Sequence, residues 1–389
     1  MLHFLWNKFA EKIIKQEIKI LSLSQKTKMN NSDYCIIMAG GIGSRFWPVS
    51  RTNMPKQFID ILGTGRTLIQ QTYDRFIKII PDTNIYVVTN EEYIDLVKVQ
   101  LPNIPAENII GEPMRRNTAP CILYANKKIA KKDSESYIVV TPADHLIINE
   151  EKFLNDINEG LKYIKVHNVL LTLGITPNRP ATGYGYIQQE EVTSNYKIKK
   201  VKTFTEKPHL ELAKFFLQSG DFLWNSGIFL WKNNIIDTAF KLYLPELYSL
   251  FDENIKYLDT NEEKSVINRI YSDAKGISID FGIMEKAENV YVLKTDFGWS
   301  DLGTWNSLYN LLPKDENRNV IAGNNIITEN SYENYIKSTS KDKILVLKDL
   351  ENYIVVDTDT VLLICHRENE QQIEGLLNEA KSKFGEWIK

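Results

Sequence analysis

"IIMAGGIGSRFWPVSRTNMPKQF", residues 36–58, passes from an apolar run into a loop of glycines, prolines and the cations Arg45 and Lys56. A strand that ends in glycines leaves backbone N–H groups open to phosphate oxygens, because no Cβ stands in the way. Two familiar phosphate loops are excluded. The dinucleotide fingerprint G-x-G-x-x-G needs glycine where Phe46 stands after Gly41 and Gly43, and a Walker A loop needs lysine directly after its last glycine, whereas Lys56 follows Pro55. What remains is G-G-x-G-x-R-x-x-P followed by P-K. Gly40, Gly41 and Gly43 can bring backbone amides to phosphates, Arg45 offers a planar fork, and Lys56 offers a compact point charge.

Outward from this loop, short β-branched runs alternate with segments of helical period. "YCIIMAG", "NIYVVTN", "SYIVVTPADH" and "VLLTLGI" read as strands; "TLIQQTYDRFIKII", "EEYIDLVKVQL", "APCILYANKKIAKK" and "EKFLNDINEGLKYIKVH" read as helices. Strands apolar throughout point to a mostly parallel sheet covered on both faces, a doubly wound, Rossmann-like α/β fold. Ligands in such sheets sit beyond the carboxyl ends of the strands, where the glycine loop and "PADH" both fall. From about 180 to 305 the pattern loosens into aromatic and glycine-bearing stretches, read as loops that form the acceptor half of a cleft. After about 315 a small β-rich region ends in the helix "NEQQIEGLLNEAKSKF". The expected division is an N-terminal extension (1–30), a main domain (31–312) and a C-terminal domain (313–389).

With 389 residues, 43% hydrophobic and 25% charged, at a formal net charge of −3, the chain has room for a large core and no electrostatic footprint for nucleic acid. Cys35, Cys121 and Cys365 are far apart and form no C-x-x-C pair, so they read as reduced thiols. No apolar run approaches the roughly 18 residues needed to span a bilayer, and the cytoplasm is the expected location. Residues 1–30 place Phe4, Leu5, Phe9, Ile13, Ile14, Ile18 and Leu21 near helical spacing beside Lys8, Lys12, Lys15 and Lys19. That is a basic amphipathic helix, suited to docking or to a membrane surface, with docking the favoured reading. Met29 offers an alternative translation start.

Taken together, "MAGGIGSRFWPVSRTNMPKQF", "EPMRRNTAP", "TPADH", "LGITPNRPATGYGYI", "FTEKP", "WNSGIFLW", "SIDFGIMEK" and "FGWSDLGTW" resemble the sugar-phosphate nucleotidyltransferases in kind, order and spacing, over about residues 34–370. The resemblance implies their GT-A-like fold and attack by a sugar-1-phosphate oxygen on the α-phosphorus of a nucleoside triphosphate. Gln57 and Phe58 after Lys56, "RNTAP" and "WNSGIF" resemble the branch whose substrates are GTP and mannose 1-phosphate.

By that resemblance, Asp144 and Asp301 match carboxylates that hold a divalent cation, with Mg2+ expected. Arg45 and Lys56 match residues that neutralise the triphosphate and the leaving pyrophosphate. Lys207 matches the receiver of the sugar phosphate, and Glu206 before it can accept from sugar hydroxyls. Gly183, Tyr184 and Asn225 fall where the hexose pocket lies. Glu112, Arg116, Asn117 and Thr118 fall where base and ribose are handled. Tyr184, Tyr186, Trp224 and Trp299 read equally as core aromatics, and His145 reads as shaping its loop. A homodimer is expected.

The chain departs from the family pattern at Met54, where an aromatic is common, and at Ala143, where serine is common; neither removes a charge. No His/Glu string of the cupin isomerase kind follows residue 305, so that second activity is not expected. The alternatives are another nucleotidyltransferase, using UTP, dTTP or ATP with glucose or fucose phosphate, or a non-catalytic subunit that binds a nucleotide sugar.

Overall fold

The apolar run before the glycine loop is a strand, β1 (Asp33–Met38), buried along nearly its whole length. In this computed structural model residues 32–190, 197–340 and 342–385 are described; the expected helix over 1–30 lies outside them. Parallel neighbours of β1 are β2 (Ile85–Asn90) and β4 (Tyr137–Pro142), and β3 (Ile109–Glu112) pairs with β2 at the sheet edge. The sheet is completed by β6 (Leu170–Ile175), β7 (Tyr186–Gln189), β8 (Ile198–Thr205), β9 (Phe222–Lys232) and β10 (Val290–Thr295), in the order β3-β2-β1-β4-β9-β6-β10-β8-β7. Only β8 and β9 run against the rest, so the sheet is mostly parallel. A short ribbon, β5 (Leu146–Ile147) with β11 (Trp299–Ser300), lies beside it.

Successive residues of a strand point to opposite faces, and both faces here meet helices. Cys35 and Ile37 pack under α1 (Leu68–Phe76), α2 (Ile94–Gln100) and α4 (Glu150–Val166). Tyr34 and Ile36 pack under α3 (Thr118–Lys132), with α6 (Asn233–Tyr243), α7 (Pro245–Asp252) and α8 (Glu263–Asp273) behind it. Between α4 and α6, α5 (Leu210–Ser219) covers the edge near β7 and β9.

One expectation is corrected. "FLWNSGIFLWK" is not a loop but the long strand β9, antiparallel to β4, β6 and β7. Its centre, Asn225-Ser226-Gly227, breaks the apolar pattern, and Gly227 takes φ 69°. The sheet absorbs this by a register shift between Thr172 and Gly174, with Ser226 Oγ donating to the Leu173 carbonyl at 2.7 Å.

After α9 (Trp305–Leu311) the chain climbs in short rungs between two small sheets. β12 (Val320–Ala322), β14 (Tyr335–Ser338) and β16 (Tyr353–Asp357) stack in parallel, as do β13 (Ile326–Glu329) and β15 (Leu345–Lys348). β17 (Leu362–His366) turns back along β16, and α10 (Ile373–Phe384) follows. The core of this region reaches into the glycine loop: Phe46 and Trp47 are buried with Leu302, Trp305, Tyr335, Ile354 and Ile373. Phe46 meets Trp305 edge-on at 5.0 Å between ring centroids. No helix among the described residues is long and apolar enough to cross a membrane.

Candidate active site

The glycine loop is tied to the sheet through its own carbonyls. Gln57, buried, donates from Nε2 to the carbonyls of Ala39 (2.8 Å) and Gly41 (2.9 Å), and Ser50 Oγ donates to the Ile42 carbonyl at 2.6 Å. Gly43 is the position that demands glycine: it sits at φ 67°, and a Cβ there would fall 2.5 Å from Cβ of Lys56. Gly41 would place a Cβ in open space.

Lys56 is 4% exposed, and its ammonium is fully engaged. It pairs with Asp144 Oδ2 at 2.8 Å and donates to the carbonyls of Asp301 and Leu302, each at 3.0 Å. Three motifs that are remote in the chain thereby meet at one nitrogen. Burial pushes the Asp144 carboxyl up, but the charge of Lys56 outweighs it and holds the group below its usual range. Asp301 Oδ1 accepts from the Tyr184 hydroxyl at 2.9 Å and from the Gly303 N–H at 3.0 Å. His145 accepts at Nδ1 from Trp299 Nε1 at 3.2 Å, and burial lowers its pKa, so a neutral ring shapes this loop.

Nucleotidyl transferases generally use a divalent metal, and the donor set can be tested against that. Asp144 and Asp301 are hard oxygen donors, and the Lys56 cation already bridges Asp144 and the Asp301 backbone. Among the described residues no group of three or more His, Cys, Asp or Glu is arranged to hold a metal by itself. Two carboxylates completed by water and substrate phosphate fit a small hard cation.

Beside Lys56 opens a cavity of about 330 Å³, lined among others by Gly40, Gly41, Glu112, Arg116, Asn117, Thr118 and Asp144. Glu112 is buried and accepts from the Tyr271 hydroxyl at 2.8 Å; burial pushes its carboxyl up to about 7. Arg116 lines the cavity while its guanidinium donates to the carbonyls of Tyr271 (2.8 Å) and Ser272 (3.3 Å) at the end of α8. Asn117, at φ 67°, caps Thr118 N–H, and the Thr118 hydroxyl accepts from Ile279 N–H at 2.9 Å. Sequence reasoning passed over Arg115 and Gln57, which line the same cavity. The doubled arginine of "EPMRRNTAP" was the available signal for Arg115. Arg45 is exposed, outside this lining. A larger cavity of about 600 Å³, between the β3 edge and α8, contains none of the predicted residues.

Across the cleft Asn225 donates from Nδ2 to Asp280 Oδ1 at 2.7 Å and accepts at Oδ1 from Gly227 N–H at 3.1 Å. Asp280 was not singled out from "SIDFGIMEK", although an acid inside an apolar run was the cue. Burial raises its carboxyl, and burial together with the Asp280 charge raises that of Glu206. Lys207 is exposed at φ 45°, with Nζ 3.6 Å from Glu206 Oε1. Gly183 would place a Cβ in open space, whereas a Cβ at Gly185 would fall 2.3 Å from Glu206 Oε2, so close packing falls on Gly185. Tyr186 and Trp224 are core residues; Tyr184 and Trp299 are half-buried, Tyr184 standing edge-on to both tryptophans.

Residues 34–318 match the family model described as nucleotidyl transferase. A mannose-1-phosphate guanylyltransferase of Klebsiella pneumoniae is 34% identical over 349 residues, covering 87% of this chain and 72% of that protein. The chain belongs to the mannose-1-phosphate guanylyltransferases. A second member, from Escherichia coli, is 32% identical over 352 residues, covering 88% of this chain and 74% of its own. A crystal structure from Thermus thermophilus, described as a mannose-1-phosphate geranyltransferase, superposes with a TM-score of 0.80 at 24% identity, over 90% of this chain and 99% of that one. Most of the architecture of this guanylyltransferase family member therefore lies within a fold already seen.

Proposed function

We propose that the chain joins GTP to mannose 1-phosphate, giving GDP-mannose and pyrophosphate. The observation that carries this reading is the Lys56 ammonium, which draws the glycine loop, Asp144 and the Asp301 loop together beside a cavity sized for a nucleotide. An oxygen of the sugar phosphate forms a bond to the α-phosphorus, and the bond from that phosphorus to the bridging oxygen of pyrophosphate breaks in line. No side-chain nucleophile is required; the protein positions two polyanions and offsets their charge.

The free backbone face at Gly40 and Gly41 takes triphosphate oxygens, with exposed Arg45 reaching them from outside and the buried Lys56 charge offsetting theirs from within. Guanine presents N–H donors at N1 and N2, which suit Glu112 in its ionised form. Lys207 receives the sugar phosphate, and Asn225, Glu206 and Tyr184 take hexose hydroxyls. Asp144 and Asp301 would hold Mg2+, which when bound adds positive charge beside the reacting phosphates.

Pyrophosphate release measured over GTP, ATP, UTP and dTTP, each with mannose, glucose and fucose 1-phosphates, tests the assignment. Turnover highest for GTP with mannose 1-phosphate is expected; preference for UTP with glucose 1-phosphate would overturn it.

A further inference from the structure

We propose that Arg179 is a positioning residue for the cation site, acting through the Tyr184 hydroxyl on Asp301; the proposal rests on the reading of Asp301 as a metal-holding carboxylate.

Arg179 Nη2 lies 3.1 Å from Tyr184 Oη, and Tyr184 Oη lies 2.9 Å from Asp301 Oδ1. A guanidinium can only donate, so it occupies a lone pair of the phenol oxygen. That leaves the single phenolic proton for Asp301, and the direction of the relay follows from donor chemistry alone. Oδ1 also accepts from the Gly303 N–H, so one carboxylate oxygen is held twice and the other is left to face a cation. Single-oxygen ligation suits a small ion with octahedral demands, and groups behind a ligand commonly set its orientation and affinity.

The side chain is built for this task. Its guanidinium lies 5.0 Å from the Trp224 ring centroid and 5.6 Å from that of Tyr184, within cation–π reach of both rings. Pro177 and Pro180 bracket it in "TPNRP" and restrict the backbone that presents it. Among the described residues no carboxylate forms an ion pair with it. Its outer side is exposed to a cavity of about 320 Å³ lined also by Thr176, Asn178 and Ser300, so removing it opens no buried void. A lysine reaches the same region but lacks the planar fork that donates to the phenol from beside Trp224.

The test uses the full chain with Arg179→Ala, Arg179→Lys, Tyr184→Phe, the Arg179→Ala/Tyr184→Phe pair and Asp301→Asn. Mn2+ is titrated alone and followed by electron paramagnetic resonance, with thermal melting as the check on folding. Arg179→Ala and Tyr184→Phe should each raise the Mn2+ dissociation constant roughly tenfold with melting unchanged, the pair should do no more than either, and Arg179→Lys should not restore binding. Parental Mn2+ affinity in Arg179→Ala, or additive losses in the pair, overturns the relay. Parental affinity in Asp301→Asn overturns the metal reading instead, so the two failures are distinguishable.

Discussion

The two sides of the cleft are held by opposite means. On the glycine-loop side, polar groups are buried and paired before any substrate arrives: Gln57 and Ser50 donate to carbonyls of the loop itself, and Lys56 to those of the Asp301 loop. On the acceptor side, Lys207 is exposed, burial raises the Asp280 carboxyl, and burial together with the Asp280 charge raises that of Glu206. The first side is preorganised to receive charge; the second holds two buried acids beside one exposed cation, Lys207.

The strongest way to break that contrast is to remove one cation from each side. Lys56→Met should lower turnover by roughly 10²- to 10³-fold. It should also lower stability by about 2 kcal/mol, because two carbonyls and Asp144 lose their donor. Lys207→Met should raise KM for the sugar phosphate with melting unchanged. Equal loss of stability in both variants, by thermal denaturation, would refute the contrast.

Next in size is the pH response of Glu112. Its carboxyl sits at about 7 in the folded chain against 4.5 for an ordinary glutamate, with burial the leading cause. The folded state then binds the extra proton between those values, so the contribution of Glu112 to stability is full below about 4.5 and is lost as pH rises through 7. The effect is of order 3 kcal/mol. Glu112→Gln should flatten the melting curve against pH over that window, and an unchanged slope would remove Glu112 as its source.

A finer comparison lies within the loop. Gly43→Ala should destabilise by about 1–2 kcal/mol, from left-handed strain and contact with Lys56, while Gly41→Ala should melt like the parent and only raise KM for the nucleotide. Similar melting in the two would mean that Gly43 is held less tightly than its geometry indicates.

Much of this was legible before folding. The parallel strands announced themselves because a strand buried on both faces must be apolar throughout, and "YCIIM" and "YIVV" are. The glycine-loop motif carried Gly43 and Lys56, since a bare backbone beside a point charge is a local chemical pattern. β9 was not legible, because Asn225-Ser226-Gly227 interrupts its periodicity and only pairing with β4, β6 and β7 makes it a strand. Arg116 shows the converse: it fits a nucleotide site by type, yet its donors face the end of α8.

The C-terminal rungs make the same point at larger scale. Composition marked them as a separate β-rich stretch, yet Phe46 and Leu302, each directly after a predicted site residue, are buried in their core.

From residue types and local order came the strand pattern, the phosphate chemistry of the loop and the identity of the charged groups. Folding settled which of those charges meet. Lys56 reaches the Asp301 carbonyl across 245 positions, and Tyr184 reaches Asp301 across 117. Such partners are fixed by sheet order and by the shared core, because hydrogen-bond geometry depends on distance in space and local sequence patterns report only distance along the chain.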